Sequence, residues 1–335
     1  MHISSHPKTV QGGLMLLTLV VAVVSLCFGQ YGLSIGDVFN QLAHPHHDAD
    51  IAHQIVWSVR LPRILMALLA GGVLGLCGAT LQGVFQNPLV DPHIIGVTSG
   101  SAFGGTLAIL LGFSMPMMMG STFFFGLLAL TLVYLLAALQ GRESTLVLIL
   151  AGIILSGFFA ALVSLMQYMA DTEEVLPNIV FWLLGSFATA NWSKVLLLVI
   201  PVTIAALVLY KLRWRINLLS LDDKDARALG VRVTALRRGV LLCCALLVAA
   251  QVAVSGSIAW VGLVIPHLAR MLSGADHRRL LPCAFWMGAS FMILVDDLAR
   301  TLTAAEIPIG IITALVGAPL FTVMLVRASR KGLLK

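Results

Sequence analysis

The sequence predicts an all-α membrane protein in which ten helices cross the bilayer. Of its 335 residues, 59% are hydrophobic and only 11% are charged, and the mean hydropathy is +0.99. A soluble domain carries about 25% charged residues, so this composition belongs to a protein of the bilayer. Apolar runs of about 20 residues, the length of one helical crossing, recur along the chain. We therefore expect a single transmembrane domain over residues 1–335, with membrane lipid around it and no nucleic-acid partner.

Nine apolar runs have spanning length. They lie near residues 12–33, 62–83, 94–112, 116–139, 145–169, 192–211, 239–257, 284–300 and 308–326. A tenth run, Ser257–Arg270, is shorter and is interrupted by Pro266. Proline at membrane depth is tolerated where protein or a water-filled path surrounds it, so we count this run as a broken span. Ten spans place both termini on the same side of the membrane.

The loop charges support a count of ten. With ten spans, 17 of the 21 lysine and arginine residues fall on the side of the termini, and the exceptions are Arg60, Arg63, Lys194 and Arg300. Basic loops stay in the cytoplasm, so the sequence predicts cytoplasmic termini. The net charge of +6 is then a consequence of topology.

Two neighbouring spans carry small residues at intervals of four, on one helical face. The first contains Gly71 and Gly75, followed by Ala79 and Gly83, and the second contains Gly96, Gly100 and Gly104, followed by Ala108 and Gly112. Such ridges allow another helix to approach closely in lipid, where packing drives helix association. They predict that these two helices lie in the packed interior of the bundle.

Two loops are longer than tight turns. The outer loop, residues 170–191, includes the aromatic stretch Phe181–Phe187 and predicts a short interfacial helix. The inner loop, residues 212–237, predicts a short amphipathic helix that Ser220 or Asp222 caps. Its apolar face would include Ala226 and Leu229, and Gly230 would end it. This helix either lies on the lipid headgroups or docks a soluble partner.

No motif for catalysis or for a bound cofactor is present. The chain lacks a phosphate-binding loop, a His-Glu-x-x-His pair and a Gly-x-Ser-x-Gly elbow, so we expect a transport subunit rather than an enzyme. Its five cysteines lie in apolar runs without metal-ligand spacing, which predicts no metal site. The outer loop with His44, His46 and His47 allows two interpretations, transient binding of a metal or haem and a solvated loop.

Between residues 55 and 327 the chain resembles a known family, the FecCD or type II permeases of bacterial ABC importers for iron chelates, haem and cobalamin. Seven motifs occur in the family's order and at consistent spacing. They are Arg60–Arg63, Gln86–Pro92, Leu219–Gly230, Gly262–Arg270, Asp276–Pro282, Asp297–Arg300 and Glu306–Pro319. The resemblance implies a ten-helix homodimer with a path along the dimer axis. Two cytoplasmic ATPase subunits would supply the energy of ATP, and a periplasmic binding protein would deliver the substrate.

The resemblance also implies roles for individual residues. Arg60, Arg63 and Arg300 match the arginines that receive carboxylates of the binding protein, for which bidentate guanidinium pairs are suited. Anchoring at the headgroups is the alternative for all three, and a local pair with Asp296 or Asp297 is the alternative for Arg300.

The inner segment matches the coupling helix that fits the ATPase. The residues concerned are Leu219, Asp222, Ala226, Leu229 and Gly230.

The residues that match constrictions of the family's vitamin B12 permease are Asn87 and Leu89 after the second span, and Ser144 and Thr145 before the fifth. Ser144 and Thr145 have a second interpretation, because serine and threonine before an apolar run also cap a helix.

The substrate expected from the resemblance is a ferric siderophore or haem, with cobalamin or an oxyanion such as molybdate as alternatives. An ion-coupled secondary transporter is the competing hypothesis. It requires ionisable residues well inside the spans, and the acidic residues of this chain fall in loops or at helix ends.

Overall fold

A computed structural model describes residues 7–29, 31–44, 51–140, 144–303 and 305–330, and this part of the chain is helical without strands. The helices are α1 Pro7–Ser25, α2 Ile35–Ala43, α3 Ile51–Gln54, α4 Leu61–Val84, α5 Val97–Leu110, α6 Met115–Leu139, α7 Thr145–Met169, α8 Val175–Leu183, α9 Trp192–Leu219, α10 Asp223–Ala228, α11 Val233–Ser255, α12 Val261–Ser273, α13 His277–Thr301 and α14 Ile309–Arg330. A π-helical turn, Ile55–Arg60, joins α3 to α4, and a 3-10 turn, Pro92–Ile95, precedes α5.

Ten apolar helices stand where the sequence predicts ten spans. Among the described residues, six helices are long and apolar enough to cross a bilayer, and α1, α5, α12 and α14 are shorter apolar helices. The predicted interfacial helix is α8, and the predicted inner helix is α10. Several boundaries differ from the prediction. The second span begins at Ile51 and α9 continues to Leu219, while α1 ends at Ser25 and α11 and α13 begin at Val233 and His277.

The short helix α2 is absent from the sequence prediction. Ser34 is its N-cap. The Ser34 hydroxyl accepts a hydrogen bond from the Asp37 N–H at 3.1 Å, and the Asp37 carboxylate accepts one from the Ser34 N–H at 2.9 Å. This reciprocal arrangement is a capping box. The Ser-x-x-Asp spacing was the signal that could have located α2.

Helix α4 lies at the centre of the bundle, where 20 of its 24 residues are buried. It packs against α13, α12, α9 and α11. Its ridge of small residues meets other backbones directly, because a Cβ atom on Gly71 or Gly75 would lie 2.2 and 2.3 Å from carbonyl oxygens of α13. The closest approach occurs at Gly78, where a Cβ would lie 1.9 Å from the Gly262 oxygen of α12. The packing of α4 therefore requires glycine at these three positions, because a side chain there would clash with the backbone of α12 or α13.

The ridge on α5 is shorter than predicted. Gly100 and Gly104 pack against α6, where a Cβ on either would lie 2.6 Å from a carbonyl oxygen. Gly96 is not part of the ridge, because α5 begins at Val97 and Gly96 stands before it with φ of +77°. A left-handed residue is needed there to join the 3-10 turn to the helix, which explains glycine at this position.

Successive spanning helices run in opposite directions, so their ends form two faces. We name them by charge. The basic end holds the last turns of α4, α6 and α9, the first turns of α7, α11 and α13, and the segment around α10. The acidic end is the opposite face, with the first turns of α4 and α9, the last turn of α13 and the loop before α8.

Candidate functional site

The turn between α4 and α5 joins two parts of the basic end. Gln86 adopts φ of +50°, which is unusual for a residue with a side chain. Its Nε2 donates to the Leu219 oxygen at 3.1 Å and to the Leu221 oxygen at 2.6 Å. These bonds attach the turn to the last residue of α9 and to the segment that leads into α10. From the sequence Gln86 was part of the Gln86–Pro92 motif with no predicted role.

The predicted gate residues of this turn are both at the surface. Asn87 and Leu89 are exposed, and the Leu89 N–H donates to Asn87 Oδ1 at 2.9 Å. Asp91 then caps the 3-10 turn by accepting from the His93 N–H at 2.9 Å, and its carboxylate pairs with the His93 ring. Burial disfavours both charged forms, yet this pairing lowers the pKa of Asp91 and raises the pKa of His93. The turn is thus held by its own side chains.

The other predicted gate residues begin α7. Ser144 is the N-cap, and its hydroxyl accepts from the Val147 N–H at 3.3 Å. Thr145 is the first helical residue and is half-buried. The capping alternative therefore describes what Ser144 does locally, and a gating role for the pair remains a prediction.

The predicted coupling segment, residues 219–230, forms a compact hook between α9 and α11, and we call this segment the hook. Asp222 is its cap and accepts from the Asp223 N–H at 2.8 Å, while Ala226 is buried against the bundle. Gly230 follows α10 with φ of +80°, as expected for a helix stop. Two residues differ from the prediction. The Ser220 hydroxyl bonds the Ile216 oxygen at 3.5 Å instead of capping α10, and Leu229 is 62% exposed because it follows the last helical residue.

Buried polar contacts fix this hook to the bundle. Arg237 of α11 is almost fully buried and bonds the Asp223 carboxylate at 2.6 Å, which attaches α10 to α11. Asn217 of α9 donates to Asp276 at 2.7 Å and accepts from the His277 N–H at 2.8 Å, which attaches α9 to α13. Hydrogen bonding from Arg278, opposed by burial and assisted by Asn217, holds the pKa of Asp276 well below its usual range. A displacement of α10 would therefore act directly on α11 through the Asp223–Arg237 pair.

The three arginines predicted to receive the binding protein lie at the acidic end but face inward. Arg60, Arg63 and Arg300 are buried, with 3%, 6% and 6% of their surface exposed. Their guanidinium groups point toward polar groups of neighbouring helices and loops, and their role in docking the binding protein stays a prediction.

Their partners are specific. Arg63 binds Asp296 through Nε and Nη2 at 2.9–3.0 Å and Glu306 at 2.7 Å, so it joins α4 to α13 and to the loop before α14. Arg60 donates to the backbone oxygens of Leu26 and Tyr31. The two Arg60 bonds hold the segment after α1 against the turn that leads into α4.

Arg300 joins α13 to the end of α1. It donates to the Ser25 oxygen at 2.7 Å and the Phe28 oxygen at 2.8 Å, and it pairs with Asp297 at 2.5 Å. The local pair that the sequence analysis gave as the alternative for Arg300 is therefore present. These bonds hold the last turn of α13 against the end of α1.

The histidine-rich loop falls largely outside the described residues, since His46 and His47 belong to the stretch 45–50. His44 ends α2, and its Nδ1 lies 3.1 Å from the Asn40 oxygen. Within the part of the chain that the structure describes, no three His, Cys, Asp or Glu side chains are grouped as metal ligands.

Comparisons with known proteins agree with this architecture. A family model for the FecCD transport family matches residues 17–327. The molybdate import system permease protein MolB of Haemophilus influenzae is 54% identical over 332 residues, which cover 98% of each chain. The hemin transport system permease protein HmuU of Yersinia pestis is 37% identical over 333 residues, which cover 96% of each chain. A solved metal-chelate type ABC transporter in an inward-facing conformation superposes with a TM-score of 0.88 at 54% identity, covering 96% of this chain and 99% of that one.

The helix count, the hook at the basic end and the family match over nearly the whole chain lead to one conclusion. The chain belongs to the FecCD transport family and is the membrane permease of an ABC importer.

Proposed function

We propose that this permease imports molybdate or a closely similar tetrahedral oxyanion. The observation that carries the proposal is 54% identity over 98% of both chains with a permease named for molybdate import. The permease named for hemin is 37% identical and the solved metal-chelate type transporter is 54% identical, so a ferric chelate, the substrate first expected from the sequence, is the second candidate.

Substrate uptake by a bacterial strain that lacks the gene for this chain tests whether molybdate or a ferric chelate is transported. Cells with the gene restored should accumulate radioactive molybdate at micromolar supply, and tungstate should compete because it has the same shape and charge. Radioactive ferric siderophore and haem, supplied in parallel, should enter equally with and without the gene. Restoration of iron or haem uptake with no change in molybdate uptake would reverse the two candidates.

We further propose that the basic end faces the cytoplasm and that α10 receives the ATPase. In support, Leu229 and the first turn of α10 are exposed, whereas Ala226 and Arg237 are buried behind them. Force applied to α10 reaches α11 through the Asp223–Arg237 pair, and it reaches the turn after α4 through Gln86. Closure of the ATPase subunits would thus move the turn that holds Asn87 and Leu89.

The same proposal includes a homodimer. One face of α7 carries small or polar exposed residues at helical spacing, namely Gly157, Ala161, Ser164 and Tyr168. Nothing lies within 4 Å of a Cβ built on Gly157, and Tyr168 is 88% exposed. Lipid-facing helices are usually apolar, whereas small residues suit a helix–helix contact or a path.

Cysteine cross-linking tests the dimer. Ala161→Cys should give a covalent dimer when native membranes are oxidised, because two α7 helices would meet there. Leu197→Cys, at a 55% exposed apolar position on α9, is the matched control and should remain monomeric. A dimer band with Leu197→Cys and none with Ala161→Cys would place the contact elsewhere.

The binding protein is proposed to dock at the acidic end. The exposed carboxylates there include Asp171, Glu173 and Glu174 in the loop before α8, while the three arginines are buried. In this proposal the arginines shape the docking face by holding α1, α4 and α13 together. Cross-linking of the binding protein to Glu173→Cys in the assembled importer should succeed. Failure there, with success at a cysteine on the basic end, would reverse the orientation.

A further inference from the structure

A groove at the basic end is built from the last turns of α9, the hook and the first turns of α11. It has a volume of about 790 Å³. Leucine side chains from both helices, including Leu212, Leu218 and Leu236, line its apolar part. Leu229 and Gly230 of the hook form part of its wall. The groove thus borders the segment that we propose to receive the ATPase.

Two arginines line this groove. Arg215 comes from α9 and Arg232 from the residue before α11, and both are exposed. Neither guanidinium forms an ion pair or hydrogen bond within the described residues, whereas Arg237 and Arg278 nearby are paired with aspartates. The groove is therefore lined by leucine side chains and by two arginines that have no ion-pair partner among the described residues.

The groove lies at the depth of lipid headgroups. Helix α9 has 28 residues and is about 42 Å long at 1.5 Å per residue, which exceeds a hydrocarbon core of about 30 Å. The predicted span ends at residue 211, and the groove begins at Leu212. Trp214 lines the groove and is 55% exposed, as tryptophan is at membrane interfaces. The Arg278 guanidinium lies 4.9 Å from the centre of its ring.

We propose that this groove binds an anionic phospholipid of the adjacent leaflet. Its phosphate would lie between Arg215 and Arg232, because guanidinium groups form paired hydrogen bonds with phosphate oxygens. Its acyl chains would follow the leucines toward the bilayer. A zwitterionic lipid offers the same chains but carries a positive group that the two arginines repel. The bound lipid would contact Leu229 and Gly230, so it would brace the hook.

Quenching of Trp214 by brominated lipids measures this site directly. The purified chain is reconstituted with dibrominated phosphatidylglycerol or dibrominated phosphatidylcholine in an unbrominated phosphatidylcholine bilayer. The signal of Trp214 is the difference between the wild type and Trp214→Phe, since the other five tryptophans are common to both. The anionic lipid should quench this signal with about tenfold higher apparent affinity. Each arginine near the membrane surface adds to the binding of an anionic lipid, and salt screening reduces the sum of the two contributions.

A variant with Arg215→Gln and Arg232→Gln should lose this preference. Arg279→Gln is the matched control, because Arg279 is exposed at the same end but does not line the groove. All these positions are exposed, so the variants should fold, which size-exclusion chromatography verifies. Equal quenching by both lipids in the wild type, or a preference that survives the double variant, would overturn the proposal. Complete protection of Trp214 by the added ATPase subunit would instead assign the groove to that protein.

Discussion

Replacing Gln86 by glutamate tests how the hook is connected to the turn after α4. The change keeps the shape of the side chain but removes the amide hydrogens that bond the Leu219 and Leu221 oxygens at 3.1 and 2.6 Å. Each bond is accessible to water, so we assign about 0.5–1 kcal/mol to each, and the pair is worth about 1–2 kcal/mol. Repulsion between the new carboxylate and the two carbonyl oxygens adds to this loss.

The assay is transport by the permease reconstituted with its ATPase and binding protein. A loss of about 1–2 kcal/mol detaches the turn from the hook and should reduce substrate uptake about 5- to 30-fold. ATP hydrolysis should stay close to the wild-type rate, because α10 and its pair with Arg237 are intact. The quantity to compare is therefore molecules transported per ATP hydrolysed.

Two further variants make the test specific. Gln140→Glu is the matched control, because Gln140 ends α6 at the same end of the bundle and is exposed. Gln86→Gly removes the same two bonds but relieves the positive φ of +50°, so it should resemble Gln86→Glu if the bonds carry the coupling. Unchanged uptake per ATP in Gln86→Glu, or an equal fall of uptake and hydrolysis, would refute the reasoning.

Four other changes have definite expectations. Gly78→Ala should abolish correctly folded protein in detergent, because the new Cβ would lie 1.9 Å from a carbonyl oxygen of α12. Size-exclusion chromatography measures this loss, and Gly157→Ala, which has open space around it, should fold normally. Asp296→Asn removes the buried carboxylate that binds Arg63 and leaves that guanidinium with only the partly exposed Glu306, so it should destabilise the chain by about 3–5 kcal/mol in thermal unfolding. Glu306→Gln, at a 30% exposed partner, should cost about 1 kcal/mol or less, and equal losses would contradict the assigned burial. Ser144→Ala should lower stability by about 1 kcal/mol through loss of the N-cap while uptake is kept, and a large loss of uptake at unchanged stability would favour gating.

The sequence alone determined the fold class, an all-α bundle of apolar helices. Hydrophobic runs of bilayer length and the bias of basic residues fix how many times a chain crosses the membrane, because backbone groups in lipid must be paired within helices. Short local signals were also sufficient for the hook, where Asp222 as cap and Gly230 as stop bound α10 correctly. The interval of four between Gly71 and Gly75 indicated a packed face without indicating its partner.

Only the tertiary structure decided which side chains meet across that packing. From the sequence Arg63 is a charged residue at a helix end, yet it is buried because its partners Asp296 and Glu306 come from α13 and from the loop before α14, far along the chain. Gln86 gains its role only when the turn after α4 reaches the end of α9. Leu229 shows the reverse, since its apolar character suggested burial and the short length of α10 leaves it exposed. Local sequence encodes which residues form helices in a bilayer, whereas pairing between buried polar groups depends on distances that only the packed bundle sets.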